Sequence, residues 1–114
     1  MKSPKEDKAY LQDILQAIGT IRSYTSGMNA EKFKHDHMVM DAVIRQLAIV
    51  GEAASHLPEE LRKKDPQIPW KSVVGMRNIL VHAYAEVDEG VVWNVVQNDL
   101  EALENGAKRL LAEK

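Results

Sequence analysis

Between Glu31 and His56 the apolar residues recur at spacings of three and four. Val39, Val43, Leu47, Val50 and Ala54 form one row, and Met40, Ile44, Leu47 and Gly51 form a second beside it. Such spacings place residues along one side of an α-helix. Two adjacent rows make an apolar face wider than the stripe a surface helix needs. The segment is therefore either the central helix of a bundle or a helix whose face is shared with a partner chain.

The remainder of the chain is also helical in pattern. From Asp7 to Thr25, Leu11, Ile14, Leu15, Ile18 and Ile21 make a single stripe, and Ser26-Gly27 supplies a stop. Pro58 suits the first turn of a short helix over 59–64, where its missing amide proton is not needed. The Pro66 to Pro69 stretch reads as a loop. A fourth main helix is predicted from Trp70 through Tyr84. A last one follows Asp88, a favourable N-cap, and packs through Val92, Val96, Leu100, Leu103, Ala107 and Leu110. No alternating pattern of strands occurs, and no repeat, low-complexity tract or long linker divides the chain. The expected fold is all-α: one domain over residues 1–114, an antiparallel bundle of four main helices plus a short helix.

Composition narrows the function classes. At 114 residues the chain can bury roughly two-thirds of its unfolded surface, enough for one core. There is no cysteine, so neither disulfides nor thiolate metal sites hold it together. The polar start and the lack of a long apolar run predict no leader and no membrane span, and so a cytoplasmic protein. A net charge of −2 argues against tight non-specific nucleic-acid binding, which calls for a basic excess. Aromatic residues at 5% argue against a broad base-stacking platform. Neither excludes an enzyme that meets RNA at a small local site. Trp70 and Trp93 read as packing residues, as do the methionines.

The chemistry-bearing segment is Arg77-Asn78-Ile79-Leu80-Val81-His82-Ala83-Tyr84. On a regular helix Asn78 and His82 are neighbours one turn apart, and Arg77 and Tyr84 share a face. The set suits RNA cleavage by the ribose 2′-hydroxyl, which needs a base, an acid and a cation. A histidine titrating near neutral pH serves as base or acid, and the arginine fork suits phosphate oxygens. Asn78 can orient either group, and Tyr84 can hydrogen-bond substrate. Each chain supplies a single histidine here, so a symmetric dimer would be chemically useful. A plainer reading puts Arg77 in an ion pair, Asn78 on the backbone, and His82 and Tyr84 at the helix end. Metal ligation has little support: His35 and His37 diverge on a helix, and no His-Glu-x-x-His pattern exists. No cofactor is expected. A second polar group, Asp41, Arg45, Glu52 and His56, shares one helix face. It is a solvated charge ladder, or else Arg45 and Glu52 line a polar site shared with the fourth helix.

Arg77-x-x-x-x-His82-x-Tyr84 matches the Arg-x4-His-x-Tyr motif of HepT-like toxins of the HEPN superfamily, and the flanks agree. Tyr10-Leu11-x-Asp13-Ile14, Asp41-Ala42-Val43-Ile44-Arg45 with Ile49-Val50-Gly51-Glu52-Ala53-Ala54, and Ile68-Pro69-Trp70 with Val74-Gly75-Met76-Arg77-Asn78 all resemble that family. Val87-Asp88 with Val92-Trp93 continues the likeness, which runs from about residue 7 to 111. It implies a HEPN-like homodimer with the two motif helices facing each other. It implies a metal-independent endoribonuclease, the toxin of a type II toxin–antitoxin system. It also implies an MNT-type nucleotidyltransferase antitoxin that transfers AMP to the motif tyrosine, here Tyr84. Catalysis then falls to Arg77 and His82, with Asn78, Arg45 and Glu52 in support. Ala83 and Ala85 depart from the residues frequent in the family, a glycine and an aromatic, without removing a catalytic group. The alternative is a non-catalytic helical dimer that binds a nucleotidyltransferase or nucleotide. The dimer itself is directly testable: light scattering should give twice the 12.8 kDa of one chain, and a mass of one chain would count against it.

Overall fold

The computed structural model describes residues 4–78 and 89–113. Its elements, in chain order, are α1 (Pro4–Thr25), α2 (Ala30–His35), α3 (His37–Ser55), α4 (Glu59–Arg62) and α5 (Trp70–Gly75). A 3-10 turn (Met76–Asn78) follows. Beyond residue 88 come α6 (Glu89–Asn94), a π turn (Val95–Asp99) and α7 (Leu100–Ala112). Among the described residues there is no strand, and the all-α expectation holds. No described helix is long and apolar enough to cross a membrane.

Helix α1 begins three residues earlier than the apolar stripe requires, because Pro4 fits a first turn and Glu6 and Asp7 complement the helix dipole there. It ends where Gly27 takes a left-handed backbone (φ 76°), a conformation that costs glycine little. Of its expected stripe, Leu11, Ile14, Ile18 and Ile21 are buried and Leu15 is half-buried, while Ala17 joins the buried face.

The helix expected over residues 31–56 is divided. Asp36 leaves the helical region (φ −107°, ψ 85°), and its carboxylate accepts the Val39 amide at 3.1 Å, capping α3. Asn29 caps α2 in the same way, accepting the Lys32 amide at 2.9 Å. Aspartate at 36 offers the backbone an alternative to continued helix. The apolar spacing hid the break, since the apolar residue of α2, Phe33, is also buried. It faces Trp93 of α6, with ring centroids 5.1 Å apart.

Helix α3 is the central one. Val43, Ile44, Leu47, Val50, Gly51, Ala53 and Ala54 are buried, because α1 packs along one side while α5 and the 3-10 turn pack along the other. The double apolar row thus has its cause within a single chain, and its width alone gives no reason for a partner. Tyr10 meets His56, and Arg22 of α1 meets Glu104 of α7, so α1 runs antiparallel to both neighbours.

The connection from α3 to α5 is held by polar groups as well as by Leu57, Leu61 and Ile68. Arg62 donates to the carbonyls of Ala54, Ser55 and Leu57 at 3.1–3.3 Å, satisfying the open C-terminal end of α3. The indole of Trp70 donates to the Arg62 and Asp65 carbonyls at 2.9 and 3.0 Å. The buried Asp65 carboxylate accepts Nε and Nη2 of Arg109 at 3.1 and 2.7 Å, which ties the loop to α7. Helix α4 stops at Arg62, two residues short of the expected end.

The last predicted helix contains the π turn. Its packing positions Val92, Val96 and Leu100 advance in two steps of four, each drifting by about 40° round a regular helix. The wider π turn takes up that drift and keeps all three buried.

Two ion pairs of different burial test this account. Arg109→Met leaves the buried Asp65 carboxylate without its charged donors and should cost about 2 kcal/mol. Lys63→Met breaks only the exposed pair with Glu59 and should stay within about 0.5 kcal/mol. Urea denaturation midpoints of the two variants check both.

Candidate functional site

Arg77 and Asn78 sit on the 3-10 turn that extends α5, and both are exposed. The turn is anchored by its neighbours: Val73 and Met76 are buried against the core while the next two side chains face out. Of the helix predicted from Trp70 to Tyr84, the described part is α-helical over Trp70–Gly75 and tightens to the 3-10 turn at Met76–Asn78. His82 and Tyr84, with their expected places on one side of that helix, lie outside the described residues.

What holds the turn so close to α3 is the absence of a side chain at Gly51. A Cβ there would collide with the backbone nitrogen of Arg77. It would also lie 3.0 Å from both the carbonyl carbon of Met76 and the carbonyl oxygen of Val73. The main chain carrying Arg77 thus rests directly on the central helix. Gly51 belonged to the second apolar row by spacing, but its role was not read there. The available signal was a glycine inside a long helix, which costs about 1 kcal/mol against alanine and so calls for a packing reason.

Among the described residues no ion pair involves Arg77, so the plainer reading that neutralises it has no support from them. An exposed guanidinium on a seated backbone presents its donors to an approaching anion, and its planar fork matches two phosphate oxygens.

The polar stripe of α3 resolves differently. Asp41, Arg45 and Glu52 are exposed. The one ion pair among the described members of this stripe joins Glu52 to His56, Oε1 to Nε2 at 3.2 Å, and the His56 ring stacks on Tyr10 (centroids 4.9 Å apart, planes at 15°). Glu52 follows Gly51 directly, but its carboxylate turns to His56 and makes no ion pair with Arg77. Arg45 makes none among the described residues. The structure therefore seats Arg77 on Gly51, and separately joins Glu52 to His56, whose ring stacks on Tyr10. His35 pairs with Glu31 at 3.1 Å, and among the described residues no three His, Asp or Glu side chains gather as a metal ligand set. Trp70 and Trp93 serve packing, as their spacing predicts.

Comparison with known proteins adds independent information. The Ribonuclease HepT-like family matches residues 14–110. A protein of Thermococcus cleftensis named "Probable ribonuclease HepT" is 38% identical over 106 residues, covering 93% of this chain and 96% of its own. A Methanocaldococcus jannaschii protein is 38% identical over 98 residues, covering 86% and 90%. A Caldanaerobacter subterraneus subsp. tengcongensis protein is 34% identical over 114 residues, covering 100% and 99%. Both of these are named "Putative RNase". No solved structure gives a significant match. With the family matched over most of its length and a relative named as a HepT ribonuclease 38% identical across nearly the whole chain, the chain belongs to the HepT-like ribonucleases of the HEPN superfamily.

Proposed function

We propose that this chain is a metal-independent endoribonuclease, the toxin of a type II toxin–antitoxin pair, acting in the cytoplasm as a homodimer. The observation that carries the reading is the family match together with Arg77, an exposed cation on a backbone locked to the core. In the proposed reaction the ribose 2′-oxygen attacks the adjacent phosphorus and its proton passes to a base. The bond from phosphorus to the 5′-oxygen breaks, and that oxygen takes a proton as it leaves. His82 fills the acid or base role. Arg77 binds the non-bridging oxygens, whose negative charge grows in the transition state. Asn78 orients the imidazole or the phosphate. Two chains facing each other supply two histidines, one for each proton transfer.

The proposed antitoxin is an MNT-type nucleotidyltransferase that transfers AMP to Tyr84. In that step the tyrosine oxygen attacks the α-phosphorus of ATP and pyrophosphate leaves. The adduct places a bulky phosphodiester anion seven residues from Arg77, where charge and volume compete with an RNA phosphate. Arg45 and Glu52 are proposed as supporting residues on the exposed face of α3.

Cleavage of tRNA in the presence of EDTA tests the reading, with intact mass measured first to identify any adduct on Tyr84. Wild type should cleave, Arg77→Ala should lose roughly a hundredfold to a thousandfold in rate, and His82→Ala roughly a hundredfold to ten-thousandfold. Equal cleavage by all three would sink the assignment. No cleavage of any RNA by unmodified wild type would favour a helical dimer that binds a nucleotidyltransferase.

Arg45→Ala and Glu52→Ala provide a cleaner probe of the supporting roles. Both residues are exposed, so each substitution should change stability by no more than about 0.5 kcal/mol. A loss of cleavage by a variant whose thermal unfolding matches wild type reports on the site. Wild-type rates for both would remove them from it.

A further inference from the structure

We propose that Gly51 is a positioning residue for the cleavage reaction: the missing side chain on α3 sets the height at which the Arg77 backbone stands. The inference deepens the ribonuclease reading and rests on it. Three backbone atoms converge on the place a Cβ would take, from Val73, Met76 and Arg77, so the whole end of α5 and its turn is seated there. Side chains can rotate away from a new methyl group, but three main-chain atoms in one packed segment cannot. Any side chain at 51 therefore lifts the turn from α3. The lift carries Arg77 with it, because Arg77 supplies the nearest of the three atoms.

Two other helical glycines set the contrast. Gly75, two residues before Arg77, has nothing among the described residues within 4 Å of its would-be Cβ. Gly106 on α7 faces the flexible side chain of Ile68 and, at 3.2 Å, the Asp65 carboxylate, so its closest approach serves the loop over residues 65–69. Of these three, Gly51 alone meets the segment bearing Arg77. A misplacement of about 1 Å in a catalytic cation can cost about a hundredfold in rate, which makes a small displacement measurable.

The test combines one measurement on the wild-type chain with a kinetic series. In wild type, a nuclear Overhauser effect between the Gly51 α-protons and the Arg77 amide proton should be present. Its absence would overturn the proposal whether or not any variant folds. Gly51→Ala should shift the Arg77 amide resonance in arginine-labelled protein. It should also lower kcat about a hundredfold with KM nearly unchanged, since the displaced guanidinium acts chiefly on the charge that develops in the transition state. Gly75→Ala should leave kcat at the wild-type value. Gly106→Ala should lower Tm without moving the Arg77 amide or kcat. Wild-type kcat for Gly51→Ala would overturn the proposal. So would an equal loss of kcat in Gly106→Ala at a matched drop in Tm, which reduces the effect to general instability. No RNA cleavage by wild type, with the Overhauser effect and the amide shift both present, would overturn the assigned reaction while upholding the seat of Arg77 on Gly51.

Discussion

Burial of α3 on two sides is the constraint from which the rest of the structure follows. Leu47 and Val50 are fully enclosed, and the face that holds them continues round to Ile44 and Gly51. One neighbour, α1, covers one side of that face with isoleucines and leucines. The other side is covered by a short helix and a tight turn, whose backbone approaches so closely that the residue beneath it has no side chain. The two halves differ in what they contribute. The α1 seam is broad and apolar; it removes area from water and contributes most of the stability. The approach at Gly51 buries less, yet it fixes the height of the segment that carries Arg77.

The segment that links these halves is held in a manner suited to its length. The connection over residues 56–69 has only three buried apolar side chains, so backbone and charged hydrogen bonds carry much of its order. Arg62 closes the end of α3, Trp70 reaches back to two carbonyls, and Asp65 holds Arg109 of α7. The bonds of Arg62 and Trp70 close spans of five to eight residues, while Asp65 and Arg109 join positions 44 apart. Their combined effect is to hold the segment from which α5 begins against α3 and α7. The chemistry proposed for Arg77 therefore depends on groups that never approach a substrate.

Charge explains how a protein of net −2 can still meet RNA. Most acidic side chains that pair do so with nearby cations, as Glu59 does with Lys63 and Glu104 with Arg22 and Lys108. Arg77 makes no such pair among the described residues. An exposed guanidinium with no ion pair among the described residues gives a local positive field within about a Debye length even when the whole molecule is slightly acidic.

The all-helical class, the burial of Leu11, Ile18, Leu47 and Leu110, and the packing roles of Trp70 and Trp93 were legible in the chain, because apolar periodicity reports which side of a helix meets the core. Arg77, Asn78, His82 and Tyr84 stand out in the chain only as residue types at a spacing, and the last two lie outside the described residues. Three features were not legible. The break at Asp36 depends on a side chain capping a helix rather than sitting on one, and periodicity is blind to that choice when a buried residue, Phe33, lies on the near side of the break as well. The stack of Tyr10 on His56 joins residues 46 positions apart, which only the antiparallel pairing of α1 and α3 brings together. The seat of the Arg77 backbone on Gly51 required the path of one backbone past another. Sequence alone determined which faces must be buried, since that follows from local chemistry and helix geometry. Tertiary structure decided what covers each face, because close packing depends on shapes that meet only after the chain has folded.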